Sequence, residues 1–279
     1  MEDGIRRDRF ADYHAMKTRQ YIDRTMASGV DIFNVLQACV ILSWYFYSEG
    51  RWVEVWIFAG FQTRVAIPLR LNYPGTFTTH GNSSPGAYLA PPKDLRDLEM
   101  RRRTWWMSLV FDRVASVGGW LHAVDERDIG TEFPLRWVDF EATYDTGVGN
   151  VRISQNSLFI CTQLSLPPSN PQDIETPNVF ITHLPEYTDS FLLLIKSIML
   201  FGKVTDYNVR FQLRLPATPS KSDDPTVWPA FRSLDKLVAL DFLNSLPSNF
   251  RSLLIRVDGN DSEARIDTDL YMVHIIPHA

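Results

Sequence analysis

Apolar positions along this chain recur mainly at intervals of three and four residues, the spacing of a helix packed on one side, and two-residue alternation is scarce. Over residues 5–27, Phe10, Tyr13, Met16, Ile22 and Met26 form one apolar stripe among charged residues, and Ser28-Gly29 closes the segment. Asp31 then stands where a carboxylate can cap the free N–H groups of a second helix. That helix, Ile32–Ser48, is apolar on nearly every side, which predicts a place in the core. After Gly50, a third helix sets Trp52, Trp56, Ala59, Gly60, Thr63 and Ile67 on one face. The short turn between the two predicts antiparallel neighbours.

Residues 72–92 are rich in Gly, Pro, Ser, Thr and Asn, as in Gly81-Asn-Ser-Ser-Pro-Gly86, and predict a surface loop. A fourth helix begins at Asp94 and reaches about Val117, where Gly118-Gly119 stop it. Its first half carries Asp97 before Arg101 and Glu99 before Arg103, the favourable order for i,i+4 ion pairs. Between Pro167 and Pro229 lie nine of the seventeen prolines, interrupted by an apolar helix over residues 188–214. Helices over 230–246 and an apolar stretch over 270–276 complete the inventory. The expected fold is all-α, an irregular multi-helix bundle with long Pro/Gly-rich loops. No internal repeat is found.

Composition narrows the function. The chain has 279 residues and a net charge of −5, so no overall positive field draws it to nucleic-acid phosphates or anionic membranes. Its two cysteines, Cys39 and Cys161, form neither a disulfide framework nor a metal cluster and fit a reducing compartment. The first ten residues lack the apolar run of a secretory leader, and the apolar runs near 35–47 and 191–201 are shorter than the ~20 residues needed to cross a bilayer. Metal-protease, Walker, nucleophile-elbow and dinucleotide spacings are missing. His274 and His278 share i,i+4 spacing, but Pro277 between them favours a plain tail over a metal site. Asp223-Asp224 reads as a solvated turn, and Asn82-Ser-Ser84 and Asn260-Asp-Ser262 as chance acceptor patterns. Arg101-Arg-Arg-Thr104 suits a structural helix better than a nuclear-import patch, given its flanking carboxylates and Trp105-Trp106.

The stretch from Arg96 to Leu135 joins Arg101, Arg102, Arg103, Trp105, Trp106, Asp112 and Arg113 to Asp128, Ile129 and Pro134. It resembles the fungal-specific transcription factor domain, the middle homology region of zinc-cluster regulators. Residues 37–42, 56–60 and 64–71 upstream, and 243–251 and 270–276 downstream, are similar to the family's other helices, so the resemblance covers most of residues 10–276. Three places depart from the pattern: Pro68 near the end of the third helix, Arg70 where the family has Gly, and Gly119-Trp120 where it has Arg-Pro.

The resemblance implies a single regulatory domain over residues 1–279, truncated at both ends, from a nuclear transcription factor. DNA contact and zinc would then belong to a Zn₂Cys₆ module that two cysteines cannot build. No cofactor, membrane or enzymatic activity is expected of these residues. Candidate partners are other proteins, a small-molecule effector or a second copy of the chain. Rival readings are a helical-bundle enzyme and a generic helical scaffold. Because charges inside an apolar helix need partners, Arg102 or Arg103, Asp112 and Arg113 are expected to form one ion-pair network, with Trp105 and Trp106 supplying packing area.

Overall fold

Burial sorts the apolar positions into two cores that share three helices. A computed structural model describes residues 10–73, 89, 92–118, 121–145, 178–185, 187–212, 226, 228–256 and 264–278. Its helices are α1 (Phe10–Ser28), α2 (Ile32–Ser48), α3 (Trp52–Ala66), α4 (Leu95–Ala115), α5 (Trp137–Asp145), α6 (Asn178–Ile181), α7 (Ser190–Gln212), α8 (Pro229–Lys236) and α9 (Thr268–Ile275). Helix α8 runs on through a π-helical turn, Leu237–Phe242, into Leu243–Ser245. The all-helical architecture is present. A short antiparallel ladder of Leu254–Arg256 with Ala264–Ile266 is added to it, pairing Ile255 with Arg265. Three-residue strands are too short to show as alternation.

Local chemistry sets the boundaries. Asp94 caps α4 by accepting from the Asp97 amide at 2.7 Å, as expected. Helices α2 and α3 end in the same C-terminal motif. Arg51 N–H donates to Phe46 O at 2.8 Å and Gly50 N–H to Tyr47 O at 3.1 Å; one helix later, Leu71 N–H donates to Ala66 O at 3.1 Å and Arg70 N–H to Ile67 O at 2.8 Å. The left-handed residue of the first motif is Gly50, with φ 69°, and that of the second is Arg70, with φ 57°.

The smaller core is built from Ile22 of α1, Val35, Cys39, Leu42 and Phe46 of α2, Val55 and Ala59 of α3, and Phe111 of α4. Gln62 of α3 donates to Ser43 Oγ at 2.6 Å and approaches the Cys39 carbonyl at 3.3 Å, which fixes α2 and α3 as antiparallel neighbours. The larger core gathers Trp105, Trp106, Leu109 and Val110 of α4 with Leu193, Ile195, Ile198 and Leu200 of α7, Phe242, and Leu270 and Val273 of α9. Leu36 of α2 and Ala66 of α3 belong to it too, so α2, α3 and α4 line both cores.

Three expectations are corrected. The α1 stripe is mostly outside: Phe10, Tyr13, Met16 and Met26 are exposed and only Ile22 is buried. Asp31 does not cap α2 with its side chain, because its backbone is left-handed at φ 53°. In α3 the buried face is Val55, Ala59, Gln62, Thr63 and Ala66, while Trp52, Trp56 and Ile67 are exposed. The expected loop lies largely outside the described residues, as do Asn82, Gly119, Trp120, Cys161, Asp223, Asp224 and Asn260.

Helix α7 meets α4 at Gly202, where an added Cβ would stand 2.6 Å from Arg113 Cδ. Arg113 is held by Asp112 and by the Val124 carbonyl, so it cannot swing aside. Gly202→Ala is expected to lower stability by about 1–3 kcal/mol, read as a reduced urea midpoint with an unchanged slope.

Candidate functional site

A helix that serves two cores has little surface left for its charged residues. Glu99, Arg101, Arg102, Asp112 and Arg113 of α4 are all buried. Each charge needs a close partner to remain folded there. At the N-terminal end, Arg101 grips Asp97 with two nitrogens, at 3.0 and 3.1 Å. Arg102 reaches out of the helix to Glu132, at 3.1 and 3.2 Å, and stands 3.8 Å from Glu99. Arg103 bonds Glu99 at 3.0 Å and the Leu135 carbonyl at 2.6 Å, while Glu99 accepts from the Leu135 amide at 2.8 Å. Trp106 donates its indole N–H to the Glu132 carbonyl at 2.8 Å and stacks on Phe133. Arg103 also lies over the rings of Trp137, Phe140 and Phe191, which ties α5 and α7 to the same point.

The second cluster lies at the other end of α4. Arg113 pairs with Asp112 and donates to the Val124 carbonyl at 3.0 Å. Asp112 accepts from the amides of Ala123 at 3.0 Å and Val124 at 3.3 Å. The single network expected from the sequence is therefore two. Arg102 and Arg103 hold residues 132–135 through Glu99 and Glu132, whereas Asp112 and Arg113 hold residues 123–124. About three turns of helix separate them, and between them the irregular segment 121–136 is strapped along α4.

The remaining motif residues fall into place around these straps. Trp105 is fully buried in the larger core, and its Nε1 has no acceptor among the described residues. Ile129 and Pro134 are buried. Asp128 is exposed, and its carbonyl accepts from Asn72 Nδ2 at 3.0 Å. Glu132, which carries one strap, was not singled out from the sequence. The only available signal was its place between Ile129 and Pro134, downstream of three consecutive arginines needing acids.

Burial shifts several of these groups. It pushes the Glu99 carboxyl up to about 7, against the opposing pull of Arg103 and Arg102. It lowers Lys196 of α7 to about 7, and it raises the Cys39 thiol to about 12, which leaves that thiol unreactive. Lys196 donates to the Thr182 carbonyl at 2.8 Å and lies 3.3 Å from His183 Nδ1, while His183 Nε2 lies 3.0 Å from Ser245 Oγ.

The Ser245–His183 pair has the distance of a nucleophile and its base, but the protons run the wrong way. Lys196 fills Nδ1 with a donor, so Nε2 carries the hydrogen and points it at Ser245. Ser245 in turn donates to the Phe242 carbonyl at 2.7 Å. A general base needs the opposite tautomer. Burial and Lys196 also lower His183 to about 3.

A cleft of about 700 Å³ opens between α7, residues 121–128 and the start of α8. Most of its ions are matched: Lys203 with Glu126, Arg210 with Asp206, and Arg127 with Asp125. Among the described residues, no group of three or more His, Cys, Asp or Glu side chains could hold a metal, and no helix is long and apolar enough to cross a membrane. His274 Nε2 lies 2.9 Å from the Phe250 carbonyl.

A charged helix strapping the segment that follows it defines an architectural site within an all-helical domain. Residues 6–214 match the fungal specific transcription factor domain, and the chain belongs to that family. Over 120 residues it is 32% identical to the negative regulator of pleiotropic drug resistance STB5 of Candida glabrata, covering 43% of this chain and 11% of that protein. Over 137 residues it is 28% identical to an uncharacterised transcriptional regulatory protein of Schizosaccharomyces pombe, covering 46% of this chain and 13% of that protein. The matches thus span only 11% and 13% of the curated relatives' lengths. No solved structure matches the chain.

The two straps are expected to behave as buried pairs. Asp112→Ala or Glu132→Ala should each lower unfolding free energy by about 3–5 kcal/mol, because each leaves a buried guanidinium uncompensated. Arg127→Ala, at an exposed pair, should change it by no more than about 1 kcal/mol. Denaturant titration of the three variants checks the contrast, and equal losses would contradict it.

Glu99 also imposes a pH dependence. Its folded pKa of about 7 lies above the ordinary value of 4.5, so its contribution is complete below pH 4.5 and fades as pH rises through 7. Glu99→Gln removes that decline. The variant's urea midpoint should fall less between pH 5 and pH 8 than the wild type's, and an identical fall would refute the assignment.

Proposed function

We propose that this chain is the regulatory and interaction domain of a nuclear transcription factor that controls transcription by RNA polymerase II, with DNA contacted by a zinc-cluster module other than these residues. The observation that carries this reading is the use of the family motif's charges. Arg102, Arg103, Asp112 and Arg113 are all engaged in bonds that hold residues 121–136 on α4, so the motif serves architecture. A net charge of −5 supports a separate DNA reader, since this chain has no phosphate-attracting field of its own.

In this reading the domain receives a protein partner or a small effector and passes the signal to the reader. Fusing the chain to an unrelated sequence-specific DNA-binding module, ahead of a reporter promoter in a fungal host, tests it. Reporter output should differ from that of the module alone, and the isolated chain should retain no promoter DNA in a gel-shift assay at about 0.15 M salt. Equal outputs with and without the chain would remove the regulatory reading, and tight DNA retention would remove the separate reader.

A further inference from the structure

A second cleft, of about 710 Å³, shares Ala123, Val124 and Asp128 with the first and is walled by the end of α3 and the turn that follows it. Here the charges are not matched. Arg64 and Arg70 both line it, and neither has a carboxylate within ion-pair distance among the described residues. Asn72 lines it too, and the exposed Asp128 brings a carboxylate acceptor to the wall. Gly60 of α3 leaves open space toward its neighbours.

Arg70 is the informative residue. It occupies the left-handed position of the motif that closes α3, at φ 57°. The same motif at the end of α2 uses Gly50, at φ 69°, which meets no Cβ penalty. A side chain other than glycine is disfavoured there, and strain of this kind gathers where a residue is needed for more than packing. The guanidinium of Arg70 lies 5.6 Å from the Tyr73 ring centroid, which orients its fork without neutralising it.

We propose that this cleft binds a small metabolite carrying an oxyanion, carboxylate or phosphate, whose oxygens bond Arg64 and Arg70 and whose hydroxyl or other donor meets the Asp128 carboxylate. Guanidinium forks match both oxyanions, and the Asp128 carboxylate disfavours ligands that are anionic alone. The site goes beyond the regulatory reading, because its occupancy is measured on the chain itself without any promoter.

The test is isothermal titration calorimetry of the full chain with inorganic phosphate and with malate, against sodium chloride at equal ionic strength. Saturable one-site binding of at least one of the two beyond the chloride control is expected. Binding of phosphate alone identifies a phosphoryl ligand, and binding of malate alone a carboxylate. Arg64→Gln and Arg70→Gly should each weaken it by about tenfold or more, the loss of one charge-assisted hydrogen bond. Arg70→Gly should melt no lower than the wild type, since glycine suits the backbone there. No saturable binding by either anion, or binding undiminished in either variant, would overturn the proposal.

Discussion

The interior of this domain depends on guanidinium groups meeting carboxylates where water is excluded. Arg102 and Glu132 are both essentially removed from solvent, 30 residues apart in sequence, and bonded to each other. Neither can be buried alone, so formation of the α4 environment requires the irregular segment to fold back with Glu132 in place. Once it does, Leu135 is held by Glu99 and Arg103, α5 begins over the Arg103 face, and Asp189 bonds the Trp137 amide at 2.8 Å while accepting from Leu192 at the start of α7. A pairing set by one helix thereby positions two more.

Most of the long helices were legible in the sequence because their signals are local, whereas α5 and α6 drew no expectation. Asp94 before Leu95, with Asp97 facing Arg101 and Glu99 facing Arg103, is enough to place α4 and its first ion pairs. Which face of a helix is buried was less legible where apolar residues crowd every side. In α3 the stripe Val55, Ala59, Gln62 and Ala66 competes with Trp52, Trp56 and Ile67 at equally helical spacing, and the larger residues proved to be outside. Size alone does not set the phase of such a helix; its packing against α2 and α4 does. Asp31 was misread for another reason, since a capping side chain presupposes an extended backbone that this residue lacks.

The candidate site was half visible. Arg102, Arg103, Asp112 and Arg113 announce a need for partners simply by being charged within apolar surroundings. The partners themselves are long-range or main-chain groups, namely Glu132 and the backbone of residues 123, 124 and 135, and no periodicity reports them. Lys196 and His183 were silent for a similar cause. They lie in a helix and a short turn whose meeting is decided by tertiary packing, and the direction of their hydrogen bonds, which makes the arrangement structural, depends on a proton rather than a spacing.

Ala123, Val124 and Asp128 line both clefts. The Asp112–Arg113 clasp grips this shared stretch by its main chain at 123 and 124. Main chain that both clefts use as wall is thus fixed by a single buried ion pair.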